Sequence, residues 1–541
     1  MPRKQQFSSK QKKQQLQDKR KRKQNEPAKF GLDSDDDNSE KKKEETELSN
    51  STEEERRLNT QPVGTAHERL NKYCLVFGKE SKEEVDQNIK LSKKPLPALD
   101  ESLLVTKVED YAMEILDLGM PKRGKWSYTM SKQKLELAEQ KEFREWCSEL
   151  DEYYQNLGRA SYYERNLETW RQLWRTLEMS DIILFVCDIR YPTLHFSHSV
   201  YKYITEELDR QVILVLNKVD MVHPSVSVSW KNYFEHKFPE IRVVLFSAFP
   251  DEQKLVENTG KRLLKKPTIK KLGWAYGAES LIQLAKCHYD KKKEIKGETP
   301  TTEKPSIAEG GEPSDEDYVT IGLIGQPNAG KSSLINGILQ DKKVSVSKTP
   351  GHTKHFQTIF YSPGIRLCDC PGLVFPTIAP KQIQILSGMY PVAQVKEPYS
   401  VVRYVAERID LVSYLRIVHP CLEEEPQAPW TAWYICFAWA DKNGYHTART
   451  GRPDVYRGAN SILRLLVTGR LCLRLLPPEY SPEGVGGSYK DILKELISFA
   501  TKIEIEESEE EEYSDESSEE GEEMEKDQKM GNKFSLLQEI D

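Results

Sequence analysis

The stretch GQPNAGKSSLIN, Gly325–Asn336, decides the fold of this chain of 541 residues. It matches the phosphate-loop pattern G-x-x-x-x-G-K-[ST] at Gly325, Gly330, Lys331 and Ser332. The preceding run VTIGLI, Val319–Ile324, is apolar and β-branched and predicts a buried strand, whereas the following SSLINGIL predicts an amphipathic helix. Strand, glycine loop and helix form the context in which this pattern binds a phosphate chain.

The loop offers three kinds of phosphate contact. Gly325 and Gly330 let the backbone curl so that successive N–H groups face phosphate, and the helix N-terminus adds positive potential. Lys331 should reach the β- and γ-phosphates, and the Ser332 hydroxyl should bind Mg²⁺. The nucleotide-binding residues expected in this segment are Gly325, Asn328, Ala329, Gly330, Lys331, Ser332 and Ser333.

Three apolar runs earlier in the chain predict strands of a parallel sheet covered on both faces, because helical stretches separate them. They are Ile182–Cys187, Val212–Leu216 and Arg242–Phe246, and they end in the polar strings DIRYP, NKVD and SAF. In such sheets the ligand lies beyond the carboxyl ends of the strands. These strings are therefore expected to line the same site as the phosphate loop.

The string NKVD, Asn217–Asp220, is the base-reading motif expected of a GTPase. The Asp220 carboxylate can accept hydrogen bonds from the ring N–H and the exocyclic amine of guanine, whereas adenine has no donors at those positions. The Asn217 amide can bond the purine from the other side, and the Lys218 stem can lie over the ring. Ser247 and Ala248 are expected to complete the pocket.

A second phosphate-sensing motif, D-x-x-G, follows the phosphate loop at Asp369 and Gly372. Asp369 should hold Mg²⁺ through water, and the Gly372 N–H should meet the γ-phosphate. In the intervening PGHT, Thr353 is the expected sensor of Mg²⁺ and γ-phosphate, with Thr349 as the alternative. The expected metal ligands are thus Ser332, Thr353 and Asp369, and the expected catalytic groups are Lys331, Thr353 and Gly372.

The order of these motifs is unusual, because the base-reading strings precede the phosphate loop. The same sheet can form if the chain is circularly permuted, which is feasible where domain termini lie close together. The segment after Gly372 then leads directly into the C-terminal part of the chain. The predicted fold class is α/β, a circularly permuted P-loop domain whose mostly parallel sheet has helices on both faces, with a helical flanking domain and disordered charged arms.

Composition sets the expected domain boundaries, because charged residues make up 30% of the chain and concentrate outside its middle. The nine cysteines form no CxxC pair, so the sequence suggests neither a zinc site nor a disulfide framework. No apolar stretch has membrane-spanning length, and we expect a soluble intracellular protein that does not bind membranes. The expected divisions are a basic then acidic arm at 1–62, a helical flank at 63–160, a permuted GTPase domain at 161–376 with a linker at 251–318, a helical domain at 377–480 and an acidic tail at 481–541.

The arrangement resembles the circularly permuted GTPases of the YlqF/YawG type over roughly residues 126–476. The resemblance rests on ERNLETWRQLWR, DIRYP, NKVD, GQPNAGKSSLIN, TPGHT, DCPGL and DVYRGANSILRLL. It implies a protein that binds GTP, GDP and Mg²⁺, hydrolyses GTP and acts as an assembly factor for ribosomal subunits. Asn328 is similar to the asparagine that holds K⁺ in GTPases stimulated by that ion; alternatively, it only shapes the loop.

Leu373 follows Gly372 at the position where many signalling GTPases carry a glutamine that orients the attacking water. A leucine side chain cannot orient water, so we expect slow intrinsic hydrolysis that a partner, a cation or another residue accelerates.

The cluster KRKRK, Lys19–Lys23, predicts a nuclear or nucleolar address, an RNA-binding arm, or both. We expect a monomer that resides in the nucleus or nucleolus, could shuttle to the cytoplasm, and binds preribosomal RNA or a ribosomal particle and a nuclear import receptor. Serines within acidic runs, such as Ser34, Ser508, Ser514 and Ser517, are candidate phosphorylation sites. The alternative function is a regulatory GTP-dependent switch that binds a protein partner without RNA.

Overall fold

The structure is a computed structural model of the chain. The residues that it describes are 75–78, 82–107, 116–124, 127, 129–158, 161–248, 275–296, 318–347, 350–351, 353, 356–362, 364–421, 428–447, 451–478, 480, 490–492 and 494. The basic arm, the adjoining acidic segment, Thr349 and nearly all of the acidic tail lie outside the described residues, and so do the candidate phosphorylation sites.

A six-stranded sheet forms the centre of the molecule, in the order β3-β2-β1-β4-β6-β5. The strands are β1 (Ile182–Asp188), β2 (Gln211–Asn217), β3 (Arg242–Phe246), β4 (Val319–Ile324), β5 (Gln357–Ser362) and β6 (Ile365–Asp369). Every neighbouring pair is parallel except the edge strand β5, which is antiparallel to β6. The predicted, mostly parallel sheet is confirmed.

Strand β1 shows why both faces of the sheet must be covered. Its side chains alternate between two hydrophobic clusters, with Ile183 and Phe185 in one and Ile182 and Leu184 in the other. Such alternation is the pleat of an extended strand, and here both sets of side chains are apolar. Each face therefore requires its own layer of helices, as the uninterrupted apolar run predicts.

The two layers contain different parts of the chain. The first face packs against α3 (Leu167–Met179), α6 (Pro224–Lys237) and the C-terminal helices, and the second packs against α7 (Ala278–Lys296) and α8 (Lys331–Leu339). Helices α1 (Lys82–Ser92) and α2 (Lys132–Leu157) precede α3, and the short α4 (Pro192–His195) and α5 (His198–Lys202) follow β1, the latter running into one π-helical turn, Tyr203–Glu207. Short 3₁₀ turns lie at Glu101–Leu104, Leu116–Gly119, Val219–Met221 and Val392–Gln394.

The register of the central strands confirms the circular permutation. Strand β1, which belongs to the base-reading half, pairs in parallel with β4, which carries the phosphate loop, from Ile182 opposite Ile321 to Phe185 opposite Ile324. These paired strands are separated in sequence by more than a hundred residues, because β2, β3 and α7 intervene. The base-reading strings thus precede the phosphate loop in the chain, although both follow the carboxyl ends of parallel strands in the same sheet.

The expected linker at 251–318 is corrected over part of its length. Helix α7 occupies Ala278–Lys296 and buries Ala278, Leu281 and Ala285 against the second face of the sheet. Their spacing of three and four residues places them on one face of a helix. The high charge of the segment concealed this short apolar stripe, and the remaining parts of the expected linker lie outside the described residues.

The C-terminal helices share a hydrophobic cluster with one face of the sheet. They are α9 (Lys381–Leu386), α10 (Tyr399–Ala406), α11 (Leu411–Leu415), α12 (Ala432–Lys442) and α13 (Val455–Thr468). Their buried side chains belong to the same hydrophobic cluster as Trp170 of α3 and Phe185 of β1. Among the described helices, none combines the length and apolar character that a bilayer crossing requires.

Candidate nucleotide-binding site

The phosphate loop has the backbone shape that its glycines predict. Gly325 has a φ of 140°, and a Cβ atom there would lie 2.4 Å from the carbonyl oxygen of Val186. Gly330 has a φ of 98°, and its Cβ would lie 2.3 Å from Nδ2 of Asn217. Each position therefore requires glycine both for its dihedral angle and for its close neighbour. Helix α8 begins directly after Gly330, so its N-terminus faces the loop.

Lys331 lies inside the curl of this loop. Its side chain is buried, and Nζ donates hydrogen bonds to the carbonyl oxygens of Gly325, at 3.0 Å, and Gln326, at 2.8 Å. Burial lowers the pKa of Lys331 to about 8, although the nearby Asp369 carboxylate opposes this shift. An anionic phosphate in the loop would favour the charged ammonium further. The position fits the expected contact with β- and γ-phosphates.

Three predicted metal ligands lie together beside Lys331. The Ser332 hydroxyl donates to Oδ2 of Asp369 at 2.8 Å, and Oγ1 of Thr353 lies 3.3 Å from Oγ of Ser332. Oδ1 of Asp369 is buried and has no hydrogen-bond partner among the described residues. Hydroxyl and carboxylate oxygens are the ligands that Mg²⁺ prefers, and an orphaned buried carboxylate oxygen is costly without a cation. The residues therefore fit a Mg²⁺ site.

The electrostatics of Asp369 agree with that fit. Burial raises the pKa of Asp369 to about 6, against the opposing effects of Lys331 and the Ser332 hydroxyl. A divalent cation would stabilise the ionised form and reverse this shift.

The base-reading loop is assembled around Asp220. The Ser247 hydroxyl donates to Oδ1 of Asp220 at 2.6 Å, so the two strings NKVD and SAF meet as expected. Ser247 in turn exchanges two backbone hydrogen bonds with Tyr276, at 3.2 and 3.0 Å. Ala248 follows Ser247 and packs against the cluster on the second face of the sheet. Tyr276 was not predicted, because it lies within the segment interpreted as a linker.

Asn217 and Lys218 make contacts with the phosphate loop that the sequence did not predict. The Asn217 amide donates to the carbonyl oxygen of Ala329 at 2.8 Å, and its Oδ1 accepts the Lys218 N–H at 2.8 Å. The Lys218 ammonium donates to the carbonyl oxygen of Asn328 at 2.7 Å. Both side chains thus fasten the base-reading loop to the phosphate loop; contact of Asn217 with the purine and of the Lys218 stem with its ring stay predictions.

Asn328 connects the phosphate loop to the C-terminal helices. Its backbone is left-handed, with a φ of 58°, and its Nδ2 donates to the carbonyl oxygen of Gly388 at 2.8 Å. This geometry supports the loop-shaping alternative for Asn328. The K⁺ hypothesis stays a prediction.

The segment after β6 lies directly on the phosphate loop. A Cβ on Gly372 would lie 2.7 Å from Cα of Pro327. The Leu373 N–H donates to the carbonyl oxygen of Gly325 at 3.3 Å, and the Phe375 N–H donates to Oε1 of Gln326 at 3.4 Å. Leu373 and Phe375 are both buried in the cluster that they share with the C-terminal helices.

Asp188, the first residue of the string DIRYP, has a role that was not predicted from the sequence. Asp188 ends β1, is fully buried, and accepts Lys218 Nζ at Oδ2, at a distance of 2.7 Å. Arg190 donates to both oxygens of the same carboxylate, with Nε–Oδ1 at 3.1 Å and Nη2–Oδ2 at 2.8 Å. The sequence offered one signal for this ion pair, an Asp and an Arg two residues apart at the end of an apolar strand, because buried charges are normally paired.

Comparison with known proteins gives one family match and relatives that are similar over most of the chain. Residues 320–416 match a family described as "50S ribosome-binding GTPase". Guanine nucleotide-binding protein-like 1 of Mus musculus and of Homo sapiens are each 41% identical over 529 residues, covering 89% of this chain and 87% of the relative. The Large subunit GTPase 1 homolog of Danio rerio is 30% identical over 498 residues, covering 79% of this chain and 77% of the relative.

Two solved structures are also similar to the chain. They are GDP-bound TM YlqF and GNP-bound YlqF from T. maritima, each 17% identical, with TM-scores of 0.33 and 0.34. They cover 57% and 58% of this chain and 99% and 97% of their own.

Proposed function

This chain is a GTPase of the family that includes guanine nucleotide-binding protein-like 1. From that premise we propose that it is a nucleotide-controlled assembly factor in ribosome biogenesis. The description of the matching family and the name of the Danio rerio relative support the ribosomal assignment. The GTP-bound and GDP-bound forms are proposed to differ in their affinity for a ribosomal precursor particle.

Different side chains of the nucleotide-binding site bind the phosphates, the base and the metal ion in this proposal. The loop backbone and Lys331 hold the phosphate chain, and Asp220, held by Ser247, selects guanine. Ser332, Thr353 and Asp369 would hold Mg²⁺, which neutralises charge on the β- and γ-phosphates when it is bound.

One observation carries the proposal of nucleotide control. The segment Leu373–Phe375 bonds to the phosphate loop on one side and continues into the C-terminal helices on the other. The residues just before α3 hold the same segment, because the Glu164 N–H donates to the carbonyl oxygen of Val374 at 3.0 Å. A γ-phosphate at Gly372 would compete with these contacts, so it would act on helices that pack in the same cluster.

Slow intrinsic hydrolysis is part of the proposal. Leu373, at the glutamine position, is buried in the hydrophobic cluster and brings no polar group to the γ-phosphate. A bound partner, or K⁺ at Asn328, is the proposed source of acceleration.

The partner is proposed to be preribosomal RNA or a large-subunit precursor particle. Around α13, the arginines Arg457, Arg464 and Arg470 are exposed, which suits contact with phosphate. The basic arm with its KRKRK cluster supports a nuclear or nucleolar location, an import receptor as a second partner and a further RNA contact. The protein is proposed to bind as a monomer.

Purification of the tagged protein in gentle salt tests this function. Co-sedimentation with ribosomal precursor particles, dependent on a GTP analogue, is the expected result. Recovery of a protein partner without RNA or particles would instead favour the regulatory switch. A crosslinking map of the bound RNA would then identify the site on the particle.

A further inference from the structure

The base-reading lysine is half-buried and belongs to a group of three charges whose other two members are buried. The Asp188 carboxylate lies between the Lys218 ammonium, at 2.7 Å, and the Arg190 guanidinium, which approaches it with two nitrogens. Asp188 and Arg190 are 0% and 1% exposed. Burying two cations near each other is unfavourable unless an anion lies between them. The position of Lys218 therefore depends on the carboxylate that Arg190 holds.

Arg190 also extends to the C-terminal helices. Its Nη1 donates to the carbonyl oxygen of Leu466 at 3.1 Å, in the last turn of α13. Its own carbonyl oxygen accepts the Leu475 N–H at 2.9 Å. The last carbonyl groups of a helix carry partial negative charge and have no partner within the helix, so a guanidinium there is favourable.

These contacts form one continuous path of hydrogen bonds. It begins at the carbonyl oxygen of Asn328 in the phosphate loop, and passes through the Lys218 ammonium and the Asp188 carboxylate to Arg190, which bonds to α13. Burial alone would raise the pKa of Asp188, but the charges of Arg190 and Lys218 hold it well below its usual range. The carboxylate is therefore ionised at neutral pH, and each contact in the path is charge-assisted.

We propose that Arg190 is a positioning residue of the nucleotide site, which fixes Lys218 through Asp188 and ties the strength of guanine nucleotide binding to the placement of α13. The proposal requires guanine nucleotide binding alone and does not depend on the identity of the partner. Arg190 acts through Lys218, which belongs to the base-reading string NKVD.

The test is a double-mutant cycle on the full-length protein, with dissociation of fluorescently labelled GDP as the readout. Lys218→Met keeps the aliphatic stem and removes the ammonium, and Arg190→Met removes the guanidinium. Each single variant is expected to release GDP about tenfold faster, the size of effect typical of one charge-assisted hydrogen bond. The double variant is expected to release GDP no faster than the single variants, because both remove the same constraint.

Trp230→Phe serves as the matched control. Trp230 is buried and its Nε1 donates to the carbonyl oxygen of Leu475 at 3.1 Å, so the control cuts one hydrogen bond to the segment that Arg190 also holds, without touching Asp188 or Lys218. It is expected to lower the melting temperature and leave GDP release unchanged. If Arg190→Met fails to fold, Arg190→Lys takes its place in the cycle, because it keeps the charge and loses the paired contact.

Three results would overturn the proposal. The first is a normal rate of GDP release by the Arg190 variant. The second is a rate increase in the double variant equal to the product of the increases in the two single variants. The third is that Trp230→Phe accelerates GDP release as much as the Arg190 variant does. Hydrogen exchange provides a second readout at Gly469, whose N–H also bonds Leu466 O, at 3.1 Å. GDP should slow exchange there in the parent and not in the Arg190 variant; slowing in both would likewise overturn the link to α13.

Discussion

At the scale of single residues, the site consists of side chains that hold one another before any ligand is considered. Ser247 holds Asp220, Asp188 holds Lys218, and Ser332 holds Asp369, with donor–acceptor distances of 2.6, 2.7 and 2.8 Å. The residue types and their motif spacing could be predicted from sequence. The partner Tyr276 could not, because its hydrogen bonds to Ser247 join two segments that no local pattern connects. Arg190 lies only two residues from Asp188, but its contact with α13 joins segments far apart in the chain and required the structure.

Replacing Asp220 with Asn should change the preferred base. The amide oxygen of the new side chain can keep the Ser247 hydrogen bond. Its NH₂ group cannot accept hydrogen bonds from the ring N–H and the exocyclic amine of guanine, but it can donate to the exocyclic oxygen of xanthine. We expect GDP affinity to fall by about 3 kcal/mol, roughly a hundredfold, and xanthosine diphosphate affinity to rise. Calorimetric titration of both nucleotides measures this, with the exposed Asp341→Asn as control. Unchanged GDP affinity would exclude Asp220 from base recognition.

Glu164 should make stability depend on pH. Its carboxylate is buried, Oε2 has no hydrogen-bond partner in the described part of the chain, and burial raises its pKa from 4.5 to about 7. Because the folded state then binds the proton more tightly than the unfolded state, the free energy of unfolding falls as pH rises from about 4.5 to 7. This part of the stability is present below pH 4.5 and lost above pH 7.

Glu164→Gln removes this dependence. We expect the variant to exceed the parent by about 1–3 kcal/mol in free energy of unfolding at pH 8, with a much smaller difference at pH 4.5. Chemical denaturation at both pH values gives the comparison. Glu279→Gln changes an exposed carboxylate in the same way and should show no such pattern. A parent that is more stable than Glu164→Gln at pH 8 contradicts the assignment.

At the scale of elements, the apolar runs predicted the strands closely, whereas helix α7 was not predicted because its segment is highly charged. Strands β3 and β4 have their predicted bounds, and β1 and β2 extend by one or two residues into polar positions. These runs are predictable because a strand buried on both faces must be apolar throughout. Helix α7 buries a narrow stripe within a basic and polar segment, so overall composition concealed it.

The loop between β6 and α9 supplies the element-scale prediction. Gly372→Ala would place a methyl group 2.7 Å from backbone Cα of Pro327, so the loop must move away from the phosphates. The Gly372 N–H is expected to donate a hydrogen bond to the γ-phosphate, which GDP lacks. Affinity for a GTP analogue should therefore fall about tenfold, while GDP affinity changes little. Equilibrium titration of both nucleotides gives the ratio.

Gly78→Ala is the matched control for that variant. A Cβ there meets the Arg165 side chain at an ordinary 3.6 Å. It should leave both affinities unchanged. An equal loss of GDP and analogue binding by Gly372→Ala would show that the loop is merely disrupted and does not sense the γ-phosphate.

At the scale of the whole molecule, the N-terminal flank, one face of the sheet and the C-terminal helices share a single hydrophobic cluster. Phe375 lies within it, with its ring centroid 6.0 Å from that of Trp170 and 6.1 Å from that of Phe185. A close-packed core does not deform continuously, so a displaced Leu373–Phe375 segment must repack its neighbours. The permutation was predictable from motif order, whereas this shared packing required the structure.

Binding of the purified full-length protein to large-subunit precursor particles, measured in GDP and in a GTP analogue, tests nucleotide control most directly. Linkage requires that the particle and the γ-phosphate strengthen each other's binding by the same factor. We predict tighter particle binding with the analogue by about 1–3 kcal/mol, roughly 5- to 150-fold, and a reduced difference in Gly372→Ala. Equal particle affinity in the two nucleotide states, in parent and variant alike, would contradict the account.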